Sequence, residues 1–429
     1  MKLRNLFLAS LAVCTMASCS KDDDGISGPQ EVDAYLSFAS TTDVMTKTST
    51  EKPNDPDKGG TGKEAKIQSL TAYVFDESGK YVISKHVALT GSGTENEDFS
   101  TEGTDGNKSI NSIRGIHVKV GKPTSGTTSE TQFQVVLLAN MESLSVTSLE
   151  DLRGKATPSI NEFNKAAVGM SYLPMHAELT VSGLTPSTDS EHILNWYKAD
   201  SSWDITQKMA VDNISHSGEI PAGAGKVILT RSIARVQFTS LSAKFTALQY
   251  QNLSFAIDSI YLANVRETAT VVGTEKTDAA YFRGGPDKFE VIQDLIDPAD
   301  GKTDSNLLQE YKSVTLSDEA VLDNTKLGFD KYINVNSPKS ISEGYQTRLV
   351  ITGTLSDGTK PLGRKYFHIP LKLKDNVGNV MSNKFFKVIA TITGEGSPNP
   401  DEILENACIN FSIEVAPWEV IEQTEDDTN

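Results

Sequence analysis

Apolar and polar residues alternate in short runs along most of the chain, and clusters of Gly, Asn, Asp and Pro separate the runs. The first is AYLSFAS, where a short strand beginning at Tyr35 or Leu36 places Leu36 and Phe38 on one face. IQSLTAYVFDESGKYVIS reads as a hairpin whose turn, Asp76 to Gly79, ends in a glycine free to take positive φ. QFQVVLLAN, residues 132–140, is a continuous apolar run, as expected of a strand buried on both faces. Alternation returns in AELTVSG and KVILTRSIARVQFTSL. The later strands are VILTRSIARVQF, LSFAIDSIYLANV, GYQTRLVITGTL, RKYFHIPLKL, NKFFKVIATITG and CINFSIEV.

Two short helices are predicted as insertions on this scaffold. Thr147 and Glu150 stand at capping-box spacing before Leu152, and Ser159 and Glu162 repeat it before Phe163. The fold class is therefore all-β with short helical insertions. Residues 40–66 hold almost no large apolar groups and read as an exposed, protease-accessible loop. Gly223-Ala224-Gly225 is the best boundary between two halves, which gives a 19–66 tether, first strand and loop, then segments 67–225 and 226–429.

Residues 1–18 have a signal-peptide pattern: basic Lys2 and Arg4, the apolar stretch LFLASLAVCTMA, and small residues before Cys19. Ala17, Ser18 and Cys19 resemble a lipoprotein lipobox, which implies cleavage between Ser18 and Cys19 and acylation of Cys19. SKDDDG, immediately downstream, resembles the acidic tag that takes Bacteroidota lipoproteins to the outer face of the outer membrane. With Cys14 removed and Cys19 acylated, Cys408 is the one free thiol expected, so sheet packing rather than disulfides supplies stability.

About 410 residues after Ser18 suit two domains of ordinary size. Formal charge is -17, from 57 Asp plus Glu against 40 Lys plus Arg, and basic residues cluster no further than pairs such as Arg364-Lys365. A polyanion partner is disfavoured, because such binding rests on clustered Lys and Arg. Negative charge on an exported surface serves solubility.

Candidate chemistry is sparse. The six histidines are dispersed without a second His or Cys at metal-site spacing, and His176 in LPMHAE reads as a turn or surface residue. No phosphate-loop pattern occurs. IDPADGKTDSNLLQE resembles a calcium loop, but aligning Gly301 to the required glycine puts Ile296 at the first ligand position. Cys408 sits in an alternating strand without a neighbouring His. Trp196, Tyr197 and Trp203 could form a sugar platform or a core cluster. The chain is expected to be no enzyme, with no catalytic residue, metal or cofactor.

Taken in order, several segments resemble the Bacteroidales fimbrillin family, the FimA- and Mfa-type subunits of type V pili. These are LTAYVFDESGKYV, FQVVLLAN, LPMHAE, VILTRSIARVQF, NKFFKVIATITG and FSIEVAPWEV. The resemblance implies two transthyretin-like β-sandwich domains in tandem, export as a lipoprotein, proteolytic trimming and polymerisation by donor-strand exchange. The removed strand would carry Tyr35, Leu36 and Phe38. Family subunits are cut after Arg, whereas no Arg occurs between Cys19 and Arg114, which leaves Lys47 as the nearest basic substitute. The donor strand would present Phe411, Ile413, Val415, Trp418 and Val420, divided at Pro417, whose nitrogen cannot donate. Expected partners are identical or related subunits, the outer membrane through lipid, and receptors on host or bacterial surfaces. The alternatives are an uncleaved accessory or anchor lipoprotein and a surface glycan-binding lipoprotein.

Overall fold

The computed structural model describes residues 30–42, 62–89, 98–103, 108–198, 205–211, 220–245, 247–284, 302–303, 305–317, 320–337, 346–371, 380–400 and 409–417. Strands dominate, as the alternation predicts. The first ten are β1 (Glu31–Thr42), β2 (Ser69–Asp76), β3 (Tyr81–Ala88), β4 (Phe99–Glu102), β5 (Ser109–Gly121), β6 (Phe133–Ala139), β7 (Met175–Val181), β8 (Glu191–Trp196), β9 (Ile205–Ala210) and β10 (Lys226–Arg231). They form one sheet in the order β3-β2-β6-β7-β10-β1-β5-β4, and β8 pairs with both β1 and β9. The path folds over itself, so that Leu36 and Phe38 of β1 and Ile113 and Ile116 of β5 share a core with Leu70 and Val74 of β2 and Val135 and Leu137 of β6.

β6 is buried on both faces for a visible reason. Val135 and Leu137 face that core, while Val136 and Leu138 pack with Tyr73, Phe75, Val271 and Leu152 of α1 (Leu149–Gly154). The α1 cap lies one residue later than its spacing suggested: the Ser148 hydroxyl accepts from the Asp151 amide. The predicted hairpin forms, with Gly79 at φ 83° in the turn.

From Ile233 onward the chain builds further sheets. Their strands are β11 (Ala234–Ala243), β12 (Leu253–Ala263), β13 (Val265–Arg266), β14 (Tyr281–Arg283), β15 (Lys302–Thr303), β16 (Leu308–Leu316), β17 (Val321–Asp323), β18 (Asp330–Ile333), β19 (Arg348–Asp357), β20 (Lys360–Pro370), β21 (Lys384–Ile392) and β22 (Ile409–Pro417). One sheet runs β17-β11-β21-β22 with β18 also on β11, and another runs β16-β12-β19-β20. Their facing sides share one core, including Val236 and Phe238 of β11, Phe386 of β21, Leu349 of β19, and Phe255 edge-to-face with Phe367. Three small strands, β13-β14-β15, make a separate sheet.

Three expectations need correction. VILTRSIARVQF is two strands: β10 stays in the first sheet, parallel to β1, and the change of sheet comes at Ser232 and Ile233 rather than before Lys226. The first strand is longer than AYLSFAS, because Glu31 to Thr42 find backbone partners along their whole length. Accordingly the loop does not occupy all of 40–66. Ser40 and Thr42 are buried in β1, and Gly62–Ala65 forms a 3-10 turn carrying Glu64 at 0% exposure.

A carboxylate survives there because it is paired. The Tyr332 hydroxyl donates to Glu64 Oε1, and the Arg235 guanidinium lies 3.7 Å from Oε2 while donating to both oxygens of Asp330. Burial opposes charge on Arg235, but the Asp330 hydrogen bond and the Asp330 and Glu64 charges hold it ionised. This cluster ties the turn before β2 to β11 and β18. α2 (Ile160–Asn164) makes a second tie, since Ile160 and Phe163 pack into the core of the later sheets.

Two consequences are measurable. Arg235→Met strands a buried Glu64 and should lower stability by about 3–5 kcal/mol in urea denaturation. Burial pushes the His176 imidazole down to about 4, and burial with the nearby Arg348 charge pushes His368 down to about 3. The unfolded chain therefore binds more protons, so the stability these residues give is complete above the ordinary value of 6.5 and is lost as pH falls toward 4 and 3 respectively. Neither ring nitrogen of buried His368 has a hydrogen-bond partner. His368→Leu should thus be near neutral at pH 7 and remove roughly 2–3 kcal/mol of the stability difference between pH 7 and 4.5.

Candidate functional site

β1 is the first strand among the described residues, yet it is central in its sheet. It pairs antiparallel with β5 from Glu31↔Gly121 to Ala39↔Ser112, parallel with β8 from Tyr35↔Leu194 to Ser37↔Trp196, and parallel with β10 from Ala39↔Lys226 to Thr42↔Leu229. Side chains complete the backbone pairing: Asn195 Nδ2 donates to the Tyr35 carbonyl at 3.2 Å, and Ser37 Oγ accepts from the Gly115 backbone amide at 3.3 Å.

Both faces of the strand are covered. Ala34, Leu36 and Phe38 point into the main core. Ala39 packs on the opposite side with Leu194 and Trp196, and Tyr35 lies against that cluster. Burying Leu36 and Phe38 contributes about 1.5–3 kcal/mol each. If β1 were absent, an apolar channel would open between β5, β8 and β10, and their facing amides and carbonyls would lack partners.

A polar group runs along the rim of the same channel. Asp33 accepts hydrogen bonds from His117 Nε2 at 2.7 Å and from the Lys119 ammonium, both on β5. Tyr35 lies between two imidazoles, stacked on His117 at 5.1 Å and tilted against His192 at 4.7 Å, with its hydroxyl 3.4 Å from His192 Nε2. Lys119 first and His117 second hold the Asp33 carboxyl below its usual range, while burial pushes the Tyr35 hydroxyl up. Sequence reading missed this set. The available signal was a carboxylate between apolar Val32 and Ala34, with His117 and Lys119 two residues apart on one strand face.

β22 lies at the far end of the molecule's second sheet. It pairs with β21 from Lys384↔Pro417 to Ile392↔Ile409, and its other edge has no strand partner among the described residues. Ile409 and Ile413 pack against the core, while Asn410, Ser412 and Glu414 are exposed. Backbone register places Phe411 opposite Ala390 and Val415 opposite Phe386. The structure thus keeps the expected donor residues of β22 on their own sheet, apart from Tyr35, Leu36 and Phe38. Ser18, Cys19, Lys47, Trp203, Cys408, Trp418 and Val420 lie outside the described residues.

Trp196 is 0% exposed, with its indole 3.4 Å from Gln207 Oε1. It therefore cannot offer a ring to a sugar, which removes the centre of the proposed platform. His176 lies in strand β7 rather than in a turn, half-buried, with Nδ1 3.1 Å from Ser232 Oγ. Among the described residues no three His, Cys, Asp or Glu side chains are grouped to hold a metal ion.

The major fimbrial subunit protein (FimA) family matches residues 34–231. That span begins within β1 and ends on the last residue of β10, so it coincides with the ten-stranded sheet. The major fimbrium subunit FimA type-3 of Porphyromonas gingivalis is 23% identical over 459 residues, covering 99% of this chain and 99% of its own. The crystal structure of a fimbrilin from P. gingivalis W83 aligns with a TM-score of 0.59 at 19% identity, over 91% of this chain and 99% of that one. A crystallised Parabacteroides distasonis protein aligns with a TM-score of 0.58 at 15% identity, over 91% and 100%. The structural likenesses show a shared fold, and the sequence matches bear out the fimbrillin resemblance.

Core burial, rather than the rim charges, should hold β1 in place. Phe38→Ala is expected to cost about 3–5 kcal/mol. Asp33→Asn should cost about 1 kcal/mol or less, since Asp33 and its partners are open to solvent. Urea titrations of the two variants check the ranking.

Proposed function

We propose that this fimbrillin-related chain is a structural subunit of a surface fimbria, polymerised when a terminal strand from a neighbouring subunit takes the place of β1. The observation that carries the reading is topological. A strand that precedes every other described strand lies centrally in its sheet, so a single cut between Thr42 and Gly62 separates it from the rest of that sheet. Whatever refills the vacancy must supply both backbone hydrogen bonds and alternating apolar side chains, which is the chemistry of strand addition.

In this reading the precursor is exported, cleaved between Ser18 and Cys19, and carried on lipid at Cys19 to the outer membrane. Cleavage after Lys47 frees the strand bearing Tyr35, Leu36 and Phe38. The incoming strand carries Phe411, Ile413, Val415, Trp418 and Val420, and five such side chains bury roughly 10 kcal/mol before ordering costs. The partners are identical or related subunits along the fibre and surface receptors at the site of adhesion.

A second reading draws on β22. Its pairing with β21 along nearly its whole length, together with the lack of Arg between Cys19 and Arg114, favours an uncleaved accessory or anchor lipoprotein. Electron microscopy of cells expressing the full chain distinguishes the two. Deleting residues 418–429 should abolish fibres while leaving a folded monomer, and mass spectrometry of fibres should find peptides beginning at Thr48. Fibres built from the deletion variant would remove the donor assignment.

A further inference from the structure

β5 carries two hydrogen-bond donors, His117 and Lys119, that share a carboxylate on β1. His117 and Lys119 project from one face of HVKV, and register sets them opposite Tyr35 and Asp33. Both donate to Asp33. If β1 departs, these two donors stay on β5 at the edge of the open channel, and the carboxylate that joined them is lost. The replacement strand therefore meets the Lys119 ammonium and the His117 ring N–H beside an apolar floor.

The strand that β1 contributes has the local pattern Val32-Asp33-Ala34, a carboxylate between two apolar residues. Ile413-Glu414-Val415 in β22 has the same pattern. Ile413 packs into the core and Glu414 is exposed, so the two side chains already point to opposite sides of the strand. The pattern reads the same from either end, so it serves a strand entering in either direction.

We infer that His117 and Lys119 select and register the incoming strand by requiring a carboxylate between two apolar side chains, and that Glu414 supplies it. This rests on the strand-exchange reading above. A strand displaced by one residue would turn Glu414 into the apolar floor and set an apolar side chain against the Lys119 ammonium and the His117 ring, so the pair penalises the wrong register. Lys119 is 54% exposed, and rim charges of this kind act mainly on encounter rate and its salt dependence.

The test uses the full chain with a protease site introduced between residues 43 and 61 and cut after folding, with assembly followed by light scattering. Lys119→Glu and Glu414→Lys should each slow assembly roughly tenfold and abolish its slowing by salt. The double variant should return to within about twofold of the unsubstituted chain. Lys119→Glu also weakens the hold on β1, which on its own would speed assembly, so slowing cannot arise from that loss. Circular dichroism before cutting checks that each variant folds. The inference is overturned if the double variant is no faster than the single ones, or if Glu419→Lys, which replaces the carboxylate of the like-patterned Trp418-Glu419-Val420, slows assembly and Glu414→Lys does not. Failure of the unsubstituted cut chain to assemble at all would instead overturn strand exchange itself, and this inference with it.

Discussion

The structure turns on the backbone pairing of β1. Where a strand is buried, its amides and carbonyls must find partners in neighbouring strands and side chains, because water cannot reach them. β5, β8 and β10 meet that demand, each over a different stretch of the same twelve residues. The parallel pairings join the start of the chain to elements more than 150 residues away, so the sheet cannot close until most of it has been made. Such long-range closure is entropically costly and is repaid only when the apolar floor forms with it.

The two parts of the molecule are held together by different physics. Ile160, Phe163 and Leu173 bridge them through apolar burial. Glu64, Arg235, Asp330 and Tyr332 bridge them through a polar cluster that is worth little beyond its desolvation cost but demands one geometry. The first supplies adhesion between the parts and the second fixes their alignment.

Much of this was legible in the sequence. The hairpin at Asp76 to Gly79, the doubly buried β6 and most later strands follow from alternation and turn residues. β5 escaped because its period breaks: Gly115 has φ 64°, and pairing slips from Leu36↔Ile116 to Phe38↔Ile113, so its apolar residues change parity midway. The split between β10 and β11 was hidden because both are apolar and only two residues separate them. Buried Glu64 could not be found by pattern at all, since its partners lie more than 150 residues away. Of the candidate site, Leu36 and Phe38 were visible as an apolar face, whereas the Asp33 group depends on cross-strand neighbours that no local rule supplies.

The wedge of α2 in the later core has a mechanical meaning. A pull applied along the chain would not find a pliant linker between the two parts, because stretching them apart drags Ile160 and Phe163 out of a packed interior and pulls Glu64 away from the Arg235 guanidinium and the Tyr332 hydroxyl. Load would then pass through these packed side chains as well as through the backbone that joins the two parts.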